Sequence, residues 1–327
     1  MSSTVRYIGV DIGGTAVKTC LLDEDGAMVA RYSLLAGPLL SRPECTTLAR
    51  QTSAYVRQQG GDPRDIEAVG LAVPGTVLGA SVDFMPNVEL DLVTLLECVR
   101  DEFPSAGLAY LNDANAGLYA EAVHGAAVSA ESVLFASVGT GVGGAFMIDG
   151  KLVEGAHGAC GEIGHIKVVK GGRRCGCGKR GCLEQYASAR GIVRNYQEAG
   201  ANSPAVYQVK GDGAAQHVSS CVPRDDRDSK SVMTAFEHGD FRARYAVGLF
   251  AKTLGYALAQ TSMVADPELV VIGGGVGEGF PVYGELLNAA YRDACISPCA
   301  ATPIVGAKLG NDAGCLGAAL YAIDHAS

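Results

Sequence analysis

Apolar runs and their breaks divide the chain before any motif is considered. Residues 6–10, 16–22 and 27–34 are rich in Val, Ile, Leu and Tyr and are parted by Gly13-Gly14 and by Asp23-Glu24-Asp25-Gly26. That pattern predicts three strands of an antiparallel meander joined by tight turns. Residues 48–58 suit a helix, 66–73 an apolar buried strand, and 90–101 a second helix that begins after the Pro86-Asn87 turn. A short strand at 109–111 runs into Asn112-Asp113, which has the look of a capped helix start. Strands that alternate with helices predict an α/β protein.

The second half opens in the same way. Residues 132–137 and 144–148 predict a strand pair about the glycine-rich stretch Gly139-Thr140-Gly141-Val142-Gly143-Gly144. A helical stretch follows near 186–199, then a polar connection at about 201–230 with no assignable pattern. Residues 241–265 form a long helical pattern, and 269–272 an apolar strand ending in a third glycine loop, 273–279. A helix near 282–294, a strand at 304–307 and a final helix from Asp312 complete the chain. No repeat of solenoid length is visible, but each half begins with strand, glycine turn and strand.

A chain of 327 residues exceeds what one core usually takes, so two lobes with a cleft between them are expected. Hydrophobic residues at 48% and charged ones at 19% are the proportions of a globular, water-exposed protein. A formal charge of -9, with Arg173-Arg174 and Lys179-Arg180 as the only short basic runs, argues against a nucleic-acid partner. No apolar run approaches the roughly 20 residues of a spanning helix, and the first residues lack the features of an export signal. The expectation is a cytoplasmic protein with no membrane partner. Its 11 cysteines are then free or metal-bound thiols rather than disulfides, and the scattered ones read as small buried hydrophobes.

Four of the polar side chains are not scattered. His165, Cys175, Cys177 and Cys182 fall in one short glycine-rich segment, which is the ligand set of a closed tetrahedral Zn²⁺ site. Four protein ligands leave no open position, so the metal is expected to be structural. Free thiols beside a lone histidine are the alternative, and the close spacing argues against it.

The glycine loops suggest phosphate. Asp11-Ile12-Gly13-Gly14-Thr15 puts a carboxylate at a strand end, then two bare backbone positions, then a hydroxyl. That arrangement suits Mg²⁺ and a polyphosphate, although taken alone an ordinary hairpin turn explains it as well. Gly139 to Gly144 satisfies Gly-x-Gly-x-x-Gly, with Glu162 following at about the expected distance. The dinucleotide fingerprint must open a helix, however, and here the pattern continues as a strand, so an NAD site is rejected. No P-loop sequence is present. Two hairpin-borne phosphate loops facing one cleft remain.

In order along the chain stand Asp11-Ile12-Gly13-Gly14-Thr15, Asn112-Asp113, the run from Ser137 to Gly144, Glu162 with His165, the three cysteines with Glu184, and Val271-Ile272-Gly273-Gly274-Gly275. In these motifs the chain resembles the ROK family of sugar kinases, which includes bacterial glucokinases, from about residue 7 to 320. The resemblance implies a two-lobed, actin/hexokinase-like (ribonuclease-H-like) α/β fold with a small zinc-bound loop segment. Residues 1–111 with a C-terminal helix at about 311–327 would form the smaller lobe. Residues 112–310 would form the larger, carrying the zinc segment and the adenosine loop.

By the same matching, Asp11, Gly13, Gly14, Thr15, Gly139, Thr140 and Gly141 fall on the phosphate loops for ATP and Mg²⁺, and Gly274 and Gly275 on the adenosine loop. Asp113 matches the catalytic base. Gly75, Asn87, Asn112, Glu162, His165 and Glu184 match the sugar-binding positions, with His165 giving one ring nitrogen to zinc and turning the other to the sugar. Lys18 would be a solvated strand lysine or an added charge near the phosphates. The chain departs from many members after Asn87, where a tryptophan is common and this chain has none.

The implied activity is ATP-dependent phosphorylation of the 6-hydroxyl of a hexose, glucose first, with N-acetylmannosamine, fructose, allose or N-acetylglucosamine as alternatives. The implied assembly is a homodimer or a dimer of dimers. A non-catalytic sugar sensor of the same family would need a DNA-binding segment ahead of Asp11, for which no room is expected, and an inactive scaffold would have no use for the base.

Overall fold

The computed structural model describes residues 4–78, 81–83, 89–201 and 228–326. Asn87 and most of the connection at 201–230 lie outside the described residues.

The expected meander is β1 (Val5–Ile12), β2 (Ala16–Asp23) and β3 (Met28–Leu35). The chain continues through α1 (Arg42–Gln58), β4 (Ala68–Val73), the small hairpin β5 (Thr76–Leu78) and β6 (Ser81–Asp83), α2 (Leu92–Glu102), β7 (Gly107–Asn112) and α3 (Asp113–His124). The first sheet has the order β3-β2-β1-β4-β7, antiparallel across the meander and parallel from β1 to β4 to β7. Every residue of β4 is buried because both faces of the sheet are covered.

The second sheet repeats the plan. It is built from β8 (Val133–Val138), β9 (Val142–Ile148), β10 (Lys151–Leu152), β11 (Leu269–Gly273) and β12 (Ile304–Gly306), in the order β10-β9-β8-β11-β12. Around it lie α4 (Glu184–Ala187), α5 (Ala189–Ala201), α6 (Ser229–Glu237), α7 (Phe241–Ala265) and α8 (Phe280–Ala294). The turn after β8 opens a strand, not a helix, which is the context that excludes a dinucleotide fingerprint. The core here is aliphatic from β8 and β11 with Phe250 of α7 and Tyr283 of α8 in edge-to-face contact at 4.9 Å.

The last helix, α9 (Ala313–His325), returns to the first sheet. Cys315, Leu316 and Ala319 pack on Cys20 and Leu22 of β2, while α1 and α2 cover the opposite face with Leu48, Val56 and Leu95. The approach is close enough to dictate sequence. A Cβ on Gly9 would stand 1.9 Å from the Cys315 carbonyl oxygen, and one on Gly70 would stand 1.8 Å from that of Ala318. The crossing of α9 over α3 has the same demand, since a Cβ on Gly317 would meet the Ala116 carbonyl oxygen at 1.8 Å.

Two elements differ from the sequence expectation for identifiable reasons. Helix α1 starts at Arg42 rather than residue 48, because Glu44 accepts the Ser41 N–H at 2.9 Å and its hydroxyl at 2.8 Å, and Pro43 suits a first turn. The single helix expected at 186–199 is two, broken at Ser188, whose ψ of 172° is extended. Helix α6 occupies the end of the unassigned connection, capped by Asp228, which accepts the Ser231 N–H at 2.8 Å. Among the described residues no helix is long and apolar enough to cross a membrane.

Candidate active site

The two glycine turns face a common cleft of about 340 Å³. From the first sheet come Gly13, Gly14 and Thr15 of the β1–β2 turn, closed by the Gly13 N–H donating to the Ala16 carbonyl at 3.0 Å. From the second come Gly139, Thr140 and Gly141 of the β8–β9 turn, closed by the Gly139 N–H donating to the Gly141 carbonyl at 3.0 Å. Glu184 lies close against this turn: a Cβ on Gly141 would stand 2.4 Å from its Oε2, so a side chain there would displace the carboxylate.

Asn112 and Asp113 sit where β7 hands over to α3, on the cleft wall. Asn112 is the helix cap: its Oδ1 accepts the N–H groups of Ala114 at 2.8 Å and Asn115 at 3.2 Å. Its Nδ2 donates to the Gly75 carbonyl at 2.9 Å, which fixes the amide and brings Gly75, in the left-handed region at φ 94°, to the cleft. Asp113 is the first residue of that helix, exposed in the cleft. Desolvation by the surrounding protein pushes its carboxyl above the usual range, opposed by the Ala114 N–H that its Oδ1 accepts at 2.8 Å.

Glu162, His165 and Glu184 line the same cleft. Burial raises the Glu162 carboxyl, and the charges of Asp113 and Glu184 raise it further. Burial holds His165 below the ordinary imidazole value against the pull of Glu184, which favours the neutral ring. Its two nitrogens have different neighbours: Nε2 lies 3.7 Å from Glu162 Oε2 and Nδ1 lies 3.7 Å from Cys175 Sγ.

That second contact leads into the cysteine segment. One donor atom from each of His165, Cys175, Cys177 and Cys182 lies within 4.8 Å of the others, and the Cys177 and Cys182 sulfurs are 3.5 Å apart. A tetrahedron with Zn–S bonds of ~2.3 Å has edges of about 3.8 Å, so the donor set and its spacing fit zinc. Short bridges between Lys167 and Cys182 and between Arg174 and Arg180 shape the loop, and Lys167 Nζ lies 2.9 Å from Cys182 Sγ. A Cβ on Gly181, at φ 78°, would strike the Val169 carbonyl oxygen at 1.8 Å. Burial pushes the Cys175 thiol up to about 12, the condition a cation would reverse.

Other expected positions are placed differently. Asp11, half-buried near the end of β1, is not among the residues lining the cleft, and its carboxyl is pushed up to about 6 by desolvation and by Asp113, with Lys18 opposing. Lys18 is half-buried on β2, donates its Nζ to the Asn311 carbonyl at 3.0 Å, and is not among the residues lining the cleft. Gly274 and Gly275 follow β11 and do not line the cleft. At φ 77°, a Cβ on Gly274 would meet the Val138 carbonyl oxygen at 2.5 Å, so this loop packs against the end of β8. Asn87 lies outside the described residues.

The cleft also includes Pro74, Ser137 and Arg190, to which sequence reasoning assigns no role. Arg190 sits inside the pattern expected to be one helix, and only the break at Ser188 turns it toward the loop. A serine whose hydroxyl accepts the Gly191 N–H at 3.0 Å is a cap signal hidden within that pattern.

The family model described as ROK matches residues 7–325. A glucokinase of Streptomyces coelicolor is 31% identical, covering 95% of this chain and 96% of its own. An N-acetylmannosamine kinase of Escherichia coli is 30% identical, covering 96% of this chain and 97% of its own. Among solved structures, a ROK family glucokinase from Streptomyces griseus in complex with glucose and AMPPNP has a TM-score of 0.79 at 31% identity, covering 97% of this chain and 99% of its own.

Proposed function

The chain belongs to the ROK family, and from that premise we propose that it transfers the γ-phosphoryl group of ATP to the 6-hydroxyl of a hexose, with glucose as the substrate. The observation that carries this reading is the juxtaposition of the Asp113 carboxylate, two glycine turns and an acidic, histidine-containing wall in one cleft. A glucokinase relative and a structural neighbour holding glucose and AMPPNP support the choice of sugar and donor.

A sugar hydroxyl is a poor nucleophile while it keeps its proton. Asp113 accepts that proton as the new O–P bond forms, and its raised pKa makes it a stronger base than an ordinary aspartate. The backbone amides of the two turns orient the phosphate chain and receive its growing negative charge. Asp11 would hold Mg²⁺, which fits a carboxylate whose ionisation burial and Asp113 both oppose, and the ion would screen phosphate charge.

Glu162, Glu184 and Asn112 read the sugar hydroxyls, the carboxylates as acceptors and the amide through its remaining Nδ2 hydrogen as donor. His165, Cys175, Cys177 and Cys182 would hold Zn²⁺, which supplies rigidity and no open coordination position. With Nδ1 turned to the thiols, His165 presents Nε2 beside Glu162 to the sugar. We assign Gly274 and Gly275 to the adenosine and Asn87 to the sugar by the family match. We take residues 1–111 with about 311–327 as the smaller lobe and 112–310 as the larger, a division supported by the packing of α9 on the first sheet.

The same chemistry on N-acetylmannosamine is the second reading, favoured by a relative of nearly equal identity. A coupled ADP-release assay across glucose, N-acetylmannosamine, fructose, allose and N-acetylglucosamine separates them. Glucose is expected to give the highest kcat/KM. Faster turnover of another sugar removes glucose, and no turnover of any overturns the kinase reading.

A further inference from the structure

Arg190 carries the one fixed positive charge among the described residues lining the cleft, where Asp113, Glu162 and Glu184 are all acids. It is the second residue of α5, and the start of that helix is strapped to the phosphate turn by the Ala189 N–H, which donates to the Gly139 carbonyl at 2.8 Å. The buried Ser188 fixes the same first turn from the other side. Arg190 therefore stands at a set distance from the β8–β9 turn. It does so on the wall between the main cleft and an adjoining cavity of about 270 Å³, which Thr140 and Glu184 also line.

The neighbouring arginines are occupied by the protein itself. Arg194 binds Glu198 at 3.0 Å, and Arg173 binds the same carboxylate at 2.6 Å. Arg190 is exposed and forms no hydrogen bond or ion pair with another described residue. A cleft with three carboxylates and no cation would repel a nucleoside triphosphate, whose charge grows on the oxygens of the transferring group. A guanidinium is suited to that task because it is planar, always charged and able to give two parallel N–H donors to phosphate.

We propose that Arg190 is a catalytic residue of the phosphoryl transfer, its guanidinium meeting the terminal phosphate oxygens of the triphosphate held on the Gly139–Gly141 turn. The inference rests on the kinase reading above. In the step it serves, the O–P bond to the sugar oxygen forms as the bond between the γ-phosphorus and the β–γ bridging oxygen breaks. The electron pair leaves with the nucleoside diphosphate, and the hydroxyl proton goes to Asp113. Arg190 spreads the charge on the group in flight.

The test uses the zinc-loaded full chain as wild type, Arg190→Gln and Arg190→Lys, with MgATP, the hexose that wild type turns over fastest, and titration with Mg-AMPPNP. Arg190→Gln is expected to lower kcat/KM for ATP about 100-fold, with Lys recovering part of the loss. The hexose KM is expected to move less than about threefold, and zinc content and thermal unfolding to stay as in wild type. Unchanged ATP kinetics, or a loss confined to the hexose KM, overturns the proposal. If wild type phosphorylates no hexose, the kinase reading fails by itself. Weaker Mg-AMPPNP binding by Arg190→Gln then still supports the phosphate contact, and equal binding removes it.

Discussion

Desolvation raises the carboxyls of both Asp113 and Asp11, but they stand in different relations to the cleft. Asp113 lines it and is exposed there, whereas Asp11 is half-buried and is not among the lining residues. Replacing Asp113 with Ala is expected to cut kcat by about 10³-fold while leaving the hexose Kd, measured by calorimetry, within a few-fold of wild type. Unchanged turnover would remove Asp113 from the reaction. Since the base works only when ionised and desolvation raises its pKa, kcat/KM falls on acidification at a pH above the ordinary aspartate range. For stability the sign is the reverse. Asp11, at about 6 when folded against 3.8 as its ordinary value, binds its proton more tightly in the folded chain. Its stabilising contribution is present at low pH and is lost as pH rises toward about 6, a difference of up to about 3 kcal/mol. Asp11→Asn is therefore expected to raise the urea midpoint at neutral pH in metal-free buffer and to have little effect near pH 4. A lower midpoint at neutral pH would contradict the burial argument.

Among the elements, the zinc loop and α9 constrain the site most. The loop has little regular structure, and its polar ligands would otherwise be held by short bridges alone. Cys177→Ser is expected to reduce bound zinc, measured by mass spectrometry of the metal, and to weaken hexose binding about tenfold or more through loss of the His165 pose. Full affinity in metal-free protein would show that zinc does not orient the ring. Helix α9 depends on the absence of side chains beneath it. Gly70→Ala places a Cβ on the Ala318 carbonyl and is expected to cost about 3 kcal/mol in denaturant unfolding. This scale also shows what the sequence made legible. The meander, β4, α7 and both glycine turns are legible as apolar runs with clear punctuation. The start of α1 and the break before α5 were not, because a capping box and a serine cap act locally within a weak or continuous apolar pattern. Arg190 was hidden by that break.

For the molecule as a whole, two five-stranded sheets of matching plan each present a glycine turn to one cleft, and a cluster of His165 with three cysteines, suited to zinc, adjoins the wall that carries Glu162 and Glu184. The duplicated strand-turn-strand opening was visible in the sequence, and so was the grouping of His165 with the three cysteines. The engagement of Lys18 with Asn311 was not, since it depends on how the loop before α9 closes over the first sheet. An acidic cleft that binds an anionic donor is the arrangement's main electrostatic demand, and divalent cation, turn amides and Arg190 together answer it. The most direct measurement is ³¹P NMR of the product formed from MgATP and glucose by the zinc-loaded protein. The expected spectrum contains a phosphomonoester coupled to the two protons on C6, growing with ADP in equal amounts. Phosphate released to water alone, or a phosphate ester at another carbon, would contradict the assignment of Asp113 and its cleft to transfer onto the 6-hydroxyl.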